Sequence, residues 1–256
     1  MNLTLERDVA AEATDRPARA GRSTRLRLDD LDWDRVAADL DAQGVALLPR
    51  RLSAGVCEAC IAQLEQPPDP VPQPMARAWA GPTWVELQLA LAEALYPALV
   101  PIAHRWETAL DRPHRAPATL AGLHARCRAA GQRHPWSRHR RLACGADEAL
   151  GLDLAGDGDF PLQATVLLSR PGRDHTGGEL VFTEQRPRLQ SRVIALALAE
   201  GDIALMAAGH RPVHGAHGLY QVTLRHGVSR VRSGVRQALD LVFSLGMAPA
   251  PPEDAP

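Results

Sequence analysis

Between Phe160 and Leu245 the sequence is divided into short apolar segments separated by turns rich in glycine. The periodicity of the apolar residues changes there from that of helices to that of strands. Short strands at near-regular spacing predict an antiparallel sandwich or jelly roll. The predicted strands are Leu162–Ser169, Glu179–Thr183, Val193–Leu198, Asp202–Met206, Tyr220–Leu224 and Arg236–Leu245.

The region before these strands has the apolar spacing of helices. Pro97 and Pro101 interrupt the longest of them, so we expect a kinked helix or two helices there. The helices should pack on one face of the sheet, which makes the fold class α+β, mainly β. The predicted elements are a helix from Trp33 ended by Gly44, a buried strand at Val45–Pro49, and helices from Ser53, from Trp84 to Leu110 and from Pro117 to Ala130.

The chain is long enough for one large domain with extensions. Residues 1–28 are polar without clear periodicity and are predicted to be a disordered tail. Residues 29–135 form the helical N-terminal part of the domain, and residues 136–247 form its jelly-roll core. The Pro- and Ala-rich residues 248–256 are predicted to be a second disordered tail.

The composition is that of an ordinary globular protein, with 45% hydrophobic and 23% charged residues. The net charge of -1 gives no general attraction to nucleic acid or to anionic membranes, so neither partner is expected. Residues 1–27 contain no apolar core of a signal peptide, and no stretch has the length and apolarity of a membrane span. We therefore expect a cytoplasmic location.

Four cysteines are present, and Cys57 and Cys60 have the C-x-x-C spacing of redox motifs and of half zinc sites. No second C-x-x-C pair follows them. The segment around them reads as an amphipathic helix that begins after Ser53. This context favours a packing role over a functional pair.

The run Leu224–Ser229, followed by Arg236, contains the best candidate site. His226 and Arg236 lie ten positions apart with glycines between them. If the flanking runs are neighbouring antiparallel strands, both side chains can point into one cavity. A neutral imidazole is a common ligand of Fe(II), and a guanidinium matches a carboxylate bidentately. The combination predicts a metal together with a dicarboxylic cosubstrate.

The segment Phe160–Phe243 resembles the double-stranded β-helix core of Fe(II)- and 2-oxoglutarate-dependent oxygenases, and within them bacterial relatives of the prolyl 4-hydroxylase catalytic domain. The helical region from about residue 31 resembles the same proteins more loosely. The motifs that carry the resemblance are Phe160–Gln163, Ser169–Asp174, Thr176–Glu179, Thr183–Arg188, Gln190–Arg192, His210–Val213 and Leu224–Ser229.

The resemblance implies site residues and an oxygenase activity. His226 corresponds to the distal metal histidine of the family, and Asp153 to the aspartate of its H-x-D pair. Arg236 corresponds to the arginine that binds the far carboxylate of 2-oxoglutarate. Gly151 occupies the position of the first histidine, and it has no side chain to ligate the metal. The implied function is an Fe(II)- and 2-oxoglutarate-dependent hydroxylase-type dioxygenase with a depleted metal site.

Three accounts of this departure remain open. Two protein ligands could hold a weaker metal, or His175 or His214 could supply the missing imidazole. Alternatively, the domain is a non-catalytic binding or regulatory relative that keeps the cavity. Apart from these accounts, a weaker functional option is nucleic-acid contact through the arginines of residues 133–141, where a solvated edge or loop is favoured. The substrate, a small molecule or a protein side chain, and the oligomeric state are not determined by the sequence.

Overall fold

The computed structural model describes residues 28, 30–65, 82–135, 138–152, 160–186, 190–215 and 218–246. Apart from Leu28, the predicted disordered tails lie outside these residues. Helices α1 to α4 span Trp33–Gln43, Ala54–Leu64, Pro82–Ala109 and Leu120–Ala129. Strands β1 to β13 span Val45–Leu48, His134–Pro135, Arg138–Ala143, Glu148–Gly151, Leu162–Leu167, His175–Gly177, Leu180–Arg186, Gln190–Leu196, Ile203–Ala207, His210–Gly215, Gly218–Val228, Val231–Val242 and Leu245–Gly246.

Two antiparallel sheets form the core of the fold. The major sheet has the order β1-β9-β5-β12-β3, with β6 paired to β12. The minor sheet has the order β10-β11-β7-β8, with β4 paired to β11. From β3 onward the chain passes back and forth between the two sheets, as β3, β5, β9 and β12 are major and β4, β7, β8 and β11 are minor. This is a double-stranded β-helix, so the predicted fold class is confirmed.

Helix α3 joins the helical layer to the major sheet. Leu91, Leu95 and Leu99 recur at the helical period and are fully buried. Tyr96 lies with its ring centroid 4.7 Å from that of Phe160, in a cluster that also includes Phe243. The helix is continuous through both of its prolines, so of the two forms expected from the sequence, two separate helices are not found.

The segment Glu86–Ala109 of α3 is long and apolar enough to cross a membrane, contrary to the expectation that no stretch is. In the fold, 56% of its most apolar window is buried. A core helix of a globular domain has the same composition, because it too is surrounded by apolar side chains.

The N-terminal elements are tied to the major sheet. Helix α1 begins where the Asp32 carboxylate accepts a hydrogen bond from the Arg35 N–H, and it ends at Gly44 with φ of 75°. Strand β1 then pairs with β9, with Val45 opposite Met206. In α2, Cys57 and Cys60 are buried free thiols, which agrees with a packing role.

The arginine-rich segment, for which a solvated edge or loop was favoured, forms β2 and β3, and β3 is an edge strand of the major sheet. Periodicity does not identify β3, because polar side chains occupy both of its faces. The side chain of Arg140 is only 10% exposed, so it is not part of a solvated surface.

Candidate functional site

His226 lies on the inner face of the minor sheet. In β11, Leu224, His226 and Val228 are buried while Arg225 is exposed, which shows which side chains point inward. The ring centroid of His226 lies 6.3 Å from that of Phe182, its partner on β7. An imidazole between the two sheets is well placed to serve as a ligand.

Gly151 is the direct cross-strand partner of His226 on β4. Side chains of directly opposite residues lie on the same face of a sheet, so a side chain at this position would stand beside the imidazole. Among the described residues, a Cβ atom added to Gly151 would meet only the Ala149 carbonyl oxygen, at 3.9 Å. The position predicted for the first metal histidine is therefore next to His226, and no described side chain fills the space beside it.

Asp153, the other predicted metal ligand, lies outside the described residues. Within the described part of the chain, no group of three or more His, Cys, Asp and Glu side chains is arranged to hold a metal ion. The described residues thus contribute one imidazole and an open position, which is not a complete metal site.

Arg236 lies on β12 and faces the interior. The neighbouring Gln237 points the other way, because its side-chain amide donates a hydrogen bond to Glu65 at the end of α2, 3.0 Å away. Side chains alternate along a strand, so Arg236 and Asp240 point away from the helices and towards the minor sheet. Arg236 is 1% exposed.

The guanidinium of Arg236 has unused hydrogen-bonding capacity. Its Nε donates to the carbonyl oxygen of Gly178 at 2.8 Å, whereas Nη1 is buried and has no hydrogen-bond partner in the described part of the chain. No carboxylate among the described residues forms an ion pair with it. Burial lowers its pKa to about 10, so the group remains a cation at neutral pH. A buried cation with a free donor fits an anion, and the carboxylate of a dicarboxylic ligand would satisfy both needs.

The second interior arginine, Arg140, is already paired. It forms ion pairs with Asp240 on its own sheet and with Glu148 on the minor sheet. Asp240 also accepts a hydrogen bond from the hydroxyl of Thr165 at 2.7 Å. This network joins the two sheets across the interior and leaves Arg236, rather than Arg140, to receive an added anion.

A pocket of about 220 Å³ lies beside Gly178, the residue whose carbonyl oxygen accepts the hydrogen bond from Arg236. Leu167, Pro171 and Leu198 form apolar walls, and His175 and Gly178 form a polar one. Gly178 has φ of 73°, and a Cβ atom there would lie 2.7 Å from Cδ of Arg236. The absence of a side chain at Gly178 therefore lets the arginine run along this wall.

His175 is buried on β6, where Gly234 of β12 is its partner. Its Nδ1 lies 3.1 Å from the hydroxyl oxygen of Ser169. Burial and, next, the charge of Arg236 lower the pKa of the imidazole below its usual value. His175 thus lies on the strand that pairs with β12, the strand of Arg236, and it belongs neither to β11 nor to β4. His214, the other candidate for the missing ligand, is exposed near the end of β10.

Sequence reasoning found His226 and Arg236 from their spacing, and the structure turns both side chains inward from opposite sheets. The sequence did not reveal that Gly178 contacts Arg236. It also missed the interior pairing of Arg140. These contacts depend on strand register between residues far apart in the chain, for which local periodicity contains no information.

The sequence matches the model of the Oxygenase-NA family over residues 82–245; that family is described as "Oxygenase, catalysing oxidative methylation of damaged DNA". Two relatives from two strains of Mycobacterium tuberculosis, each named an uncharacterized protein, are 41% identical over 153 residues. The match covers 60% of this chain and 66% of each relative, so the chain spans slightly less than two thirds of their length.

Several solved structures are similar in fold. A prolyl-4-hydroxylase of Pseudomonas putida has a TM-score of 0.48 at 16% identity, covering 85% of this chain and 95% of its own. An oxidoreductase of the 2OG-Fe(II) oxygenase family from Burkholderia pseudomallei has a TM-score of 0.49 at 17% identity, covering 86% and 95%. A prolyl 4-hydroxylase of Phytophthora capsici has a TM-score of 0.49 at 15% identity, covering 87% and 65%.

Proposed function

The chain belongs to the Oxygenase-NA family of oxygenases, and we propose that it is a 2-oxoglutarate- and Fe(II)-dependent oxygenase of hydroxylase type with a depleted metal site. The observation that carries the proposal is the buried Nη1 of Arg236, which has no hydrogen-bond partner among the described residues. Asp240 is an anion near enough to act on Arg236, but it is already paired with Arg140, and a buried donor usually has an acceptor. The far carboxylate of 2-oxoglutarate is the anion that fits this position.

In this proposal the major sheet supplies the residue that binds the cosubstrate, and the minor sheet supplies a metal ligand. Arg236 would bind the far carboxylate, and the apolar side chains of Leu167 and Leu198 would line the methylene carbons. His226 and Asp153 would be the protein ligands of Fe(II), which when bound supplies the activation of oxygen. The described residues fit the carboxylate better than they fit the metal, because they contain only one metal-binding side chain at this place.

The alternative is a non-catalytic binding protein that keeps the cosubstrate cavity. Gly151 favours it, since a lost imidazole should weaken metal binding by at least the roughly tenfold to hundredfold that is typical of losing an outer-shell partner. Such a protein would bind 2-oxoglutarate through Arg236 without turning it over.

An anaerobic titration separates the two functions. Fe(II) and 2-oxoglutarate are added to the purified protein, and the visible metal-to-ligand charge-transfer band is recorded. We expect a band for the wild type and none for Arg236→Ala. Binding of 2-oxoglutarate by calorimetry without any band, even at high iron, would instead establish the binding protein. No binding of either kind would refute both.

A nucleic acid is the substrate class that the family description adds. From the net charge we expected no nucleic-acid partner. However, Arg230 and Arg232 are exposed near the pocket and form no carboxylate ion pair within the described residues. A Cβ atom on Gly177, which lines the pocket, would lie 3.1 Å from Cγ of Arg232. We propose single-stranded DNA as the first polymer to test. Its affinity should fall steeply with salt and should decrease in Arg232→Gln, whereas unchanged binding in this variant would argue against the surface.

A further inference from the structure

His175 and Arg236 each present a hydrogen-bond donor near the pocket: His175 lines it, and Arg236 contacts the lining residue Gly178. The hydroxyl oxygen of Ser169 accepts a hydrogen bond from the Gln237 N–H at 2.9 Å, and its own proton has two possible acceptors. Nδ1 of His175 lies at 3.1 Å and the Gln237 carbonyl oxygen at 3.4 Å, so the imidazole is favoured. A neutral ring that accepts at Nδ1 has its proton on Nε2.

Nε2 of His175 has no hydrogen-bond partner among the described residues. The ring is 3% exposed and lines the pocket. His175 therefore offers one donor from the lining of the pocket, and the buried Nη1 of Arg236, held beside Gly178, is a second donor without an acceptor among the described residues. Together they indicate a ligand that has at least two acceptor atoms, and a carboxylate has two.

We infer that His175 is a second binding residue for the far carboxylate of the dicarboxylic ligand, donating from Nε2 while Arg236 donates from Nη1. The inference rests on the proposed function, because it concerns the same site. It names a residue that the spacing of His226 and Arg236 does not point to. Ser169 is then a positioning residue, since its hydroxyl fixes the tautomer and the orientation of the imidazole.

The charges around the pocket place the carboxylate at this end. Glu179 also lines the pocket, and its own carboxylate accepts a hydrogen bond from the hydroxyl of Ser229. That hydrogen bond lowers the pKa of Glu179, which is therefore anionic at neutral pH and repels a second carboxylate. The far carboxylate of the ligand is therefore attracted towards Arg236 and away from Glu179, and the carbon chain contacts the apolar walls.

Glutarate is the probe that isolates this end of the ligand, because it has both carboxylates but lacks the 2-oxo acid that chelates iron. Its binding to the metal-free protein is followed by ligand-observed NMR, together with calorimetry of 2-oxoglutarate. His175→Asn and His175→Gln form a matched pair: the asparagine amide reaches the place of Nδ1, and the glutamine amide reaches that of Nε2. Arg236→Gln is the third variant.

We expect His175→Asn to weaken glutarate binding by about tenfold or more, as for loss of a hydrogen bond to a charged group, and His175→Gln to retain most of the affinity. Arg236→Gln should abolish binding. Wild-type affinity in His175→Asn, with binding lost in Arg236→Gln, would overturn the role of His175 and leave the proposed function intact. If the wild type bound neither glutarate nor 2-oxoglutarate, both the role of His175 and the proposed function would be overturned.

The wild type supplies a test that needs no variant. The charged groups facing His175 are Arg236 on β12, Asp174 in the preceding turn and Glu179 before β7. In the free protein its pKa is lowered, and a bound carboxylate raises it by favouring the imidazolium. At a pH between the pKa of His175 in the free protein and its higher pKa in the complex, glutarate binding is accompanied by protonation of His175. Glutarate affinity should therefore rise as the pH falls through that range. A pH-independent affinity, or the same rise in His175→Gln, contradicts the inference.

Discussion

Arg211 and Glu184 form an ion pair that is almost wholly removed from water, with side chains 1% and 0% exposed. Nε of Arg211 lies 3.0 Å from the Glu184 carboxylate. The same guanidinium donates hydrogen bonds to the carbonyl oxygens of Asp41 and Ala42, at 2.7 Å and 3.1 Å. One side chain therefore satisfies the end of α1 and a carboxylate of β7 at the same time.

Removing one partner of this pair should be severely destabilising. Glu184→Ala leaves a buried guanidinium without its anion, so we expect the free energy of unfolding to fall by about 3–5 kcal/mol in urea denaturation. Arg105→Ala is the control, because it removes an exposed pair with Asp41 and should change stability by at most about 1 kcal/mol. Equal effects of the two variants would show that burial of the Arg211 pair is not what matters.

Restoring an imidazole at Gly151 should raise metal affinity. The position faces the same side as His226, and a Cβ atom there meets no atom of the described residues closer than 3.9 Å. We expect Gly151→His to bind Fe(II) or Co(II) at least about tenfold more tightly than the wild type, measured anaerobically by competition with a chelating dye. Gly151→Ala is the control and should leave the affinity unchanged. If the histidine variant binds no better, Gly151 is not the position of the first metal ligand.

A side chain at Gly178 should disturb ligand binding beyond its effect on stability. Gly178→Ala places a side chain on a residue in the left-handed conformation, which is unfavourable, and its Cβ atom would lie too close to Cδ of Arg236. Gly218→Ala is the matched control, because its φ is also positive and nothing lies within 4 Å of the added atom. Gly218→Ala should lose about 1–2 kcal/mol of stability, and Gly178→Ala at least as much because of the added contact with Arg236. Only Gly178→Ala should lose affinity for 2-oxoglutarate. Equal affinities of the two variants for 2-oxoglutarate would show that Gly178 is not part of the binding site.

Alkylation should distinguish the four cysteines. Burial is the main cause that raises the pKa of Cys57 to about 12 and that of Cys60 to about 11, so neither forms a thiolate at neutral pH. Cys127 is buried as well, whereas Cys144 is exposed. Iodoacetamide at pH 7.5, read by peptide mass spectrometry, should label Cys144 in the native protein and all four residues in urea. Rapid native labelling of Cys57 would contradict the packing role.

The sequence contained the apolar strands and the spacing of the site, but not the polar contacts between strands. Strands β5 and β9 are buried along their whole length, so their apolar runs were recognisable. Strand β3 was not, because Arg140 is neutralised by Asp240, a residue 100 positions away. His226 and Arg236 are close in sequence and could be paired by spacing. The neighbourhood of His175 and Arg236 exists only because β6 adds to the edge of β12, which no local pattern predicts.

Strand β1 lies before the region that the family shares, yet it completes the major sheet by pairing with all four residues from Ile203 to Met206. A fragment that began at residue 82 would leave this edge of β9 with open hydrogen-bonding groups. Exposed edges recruit other strands, so the fragment should self-associate rather than remain dispersed. We therefore expect the region that matches the family to depend for its solubility on a strand that lies outside it.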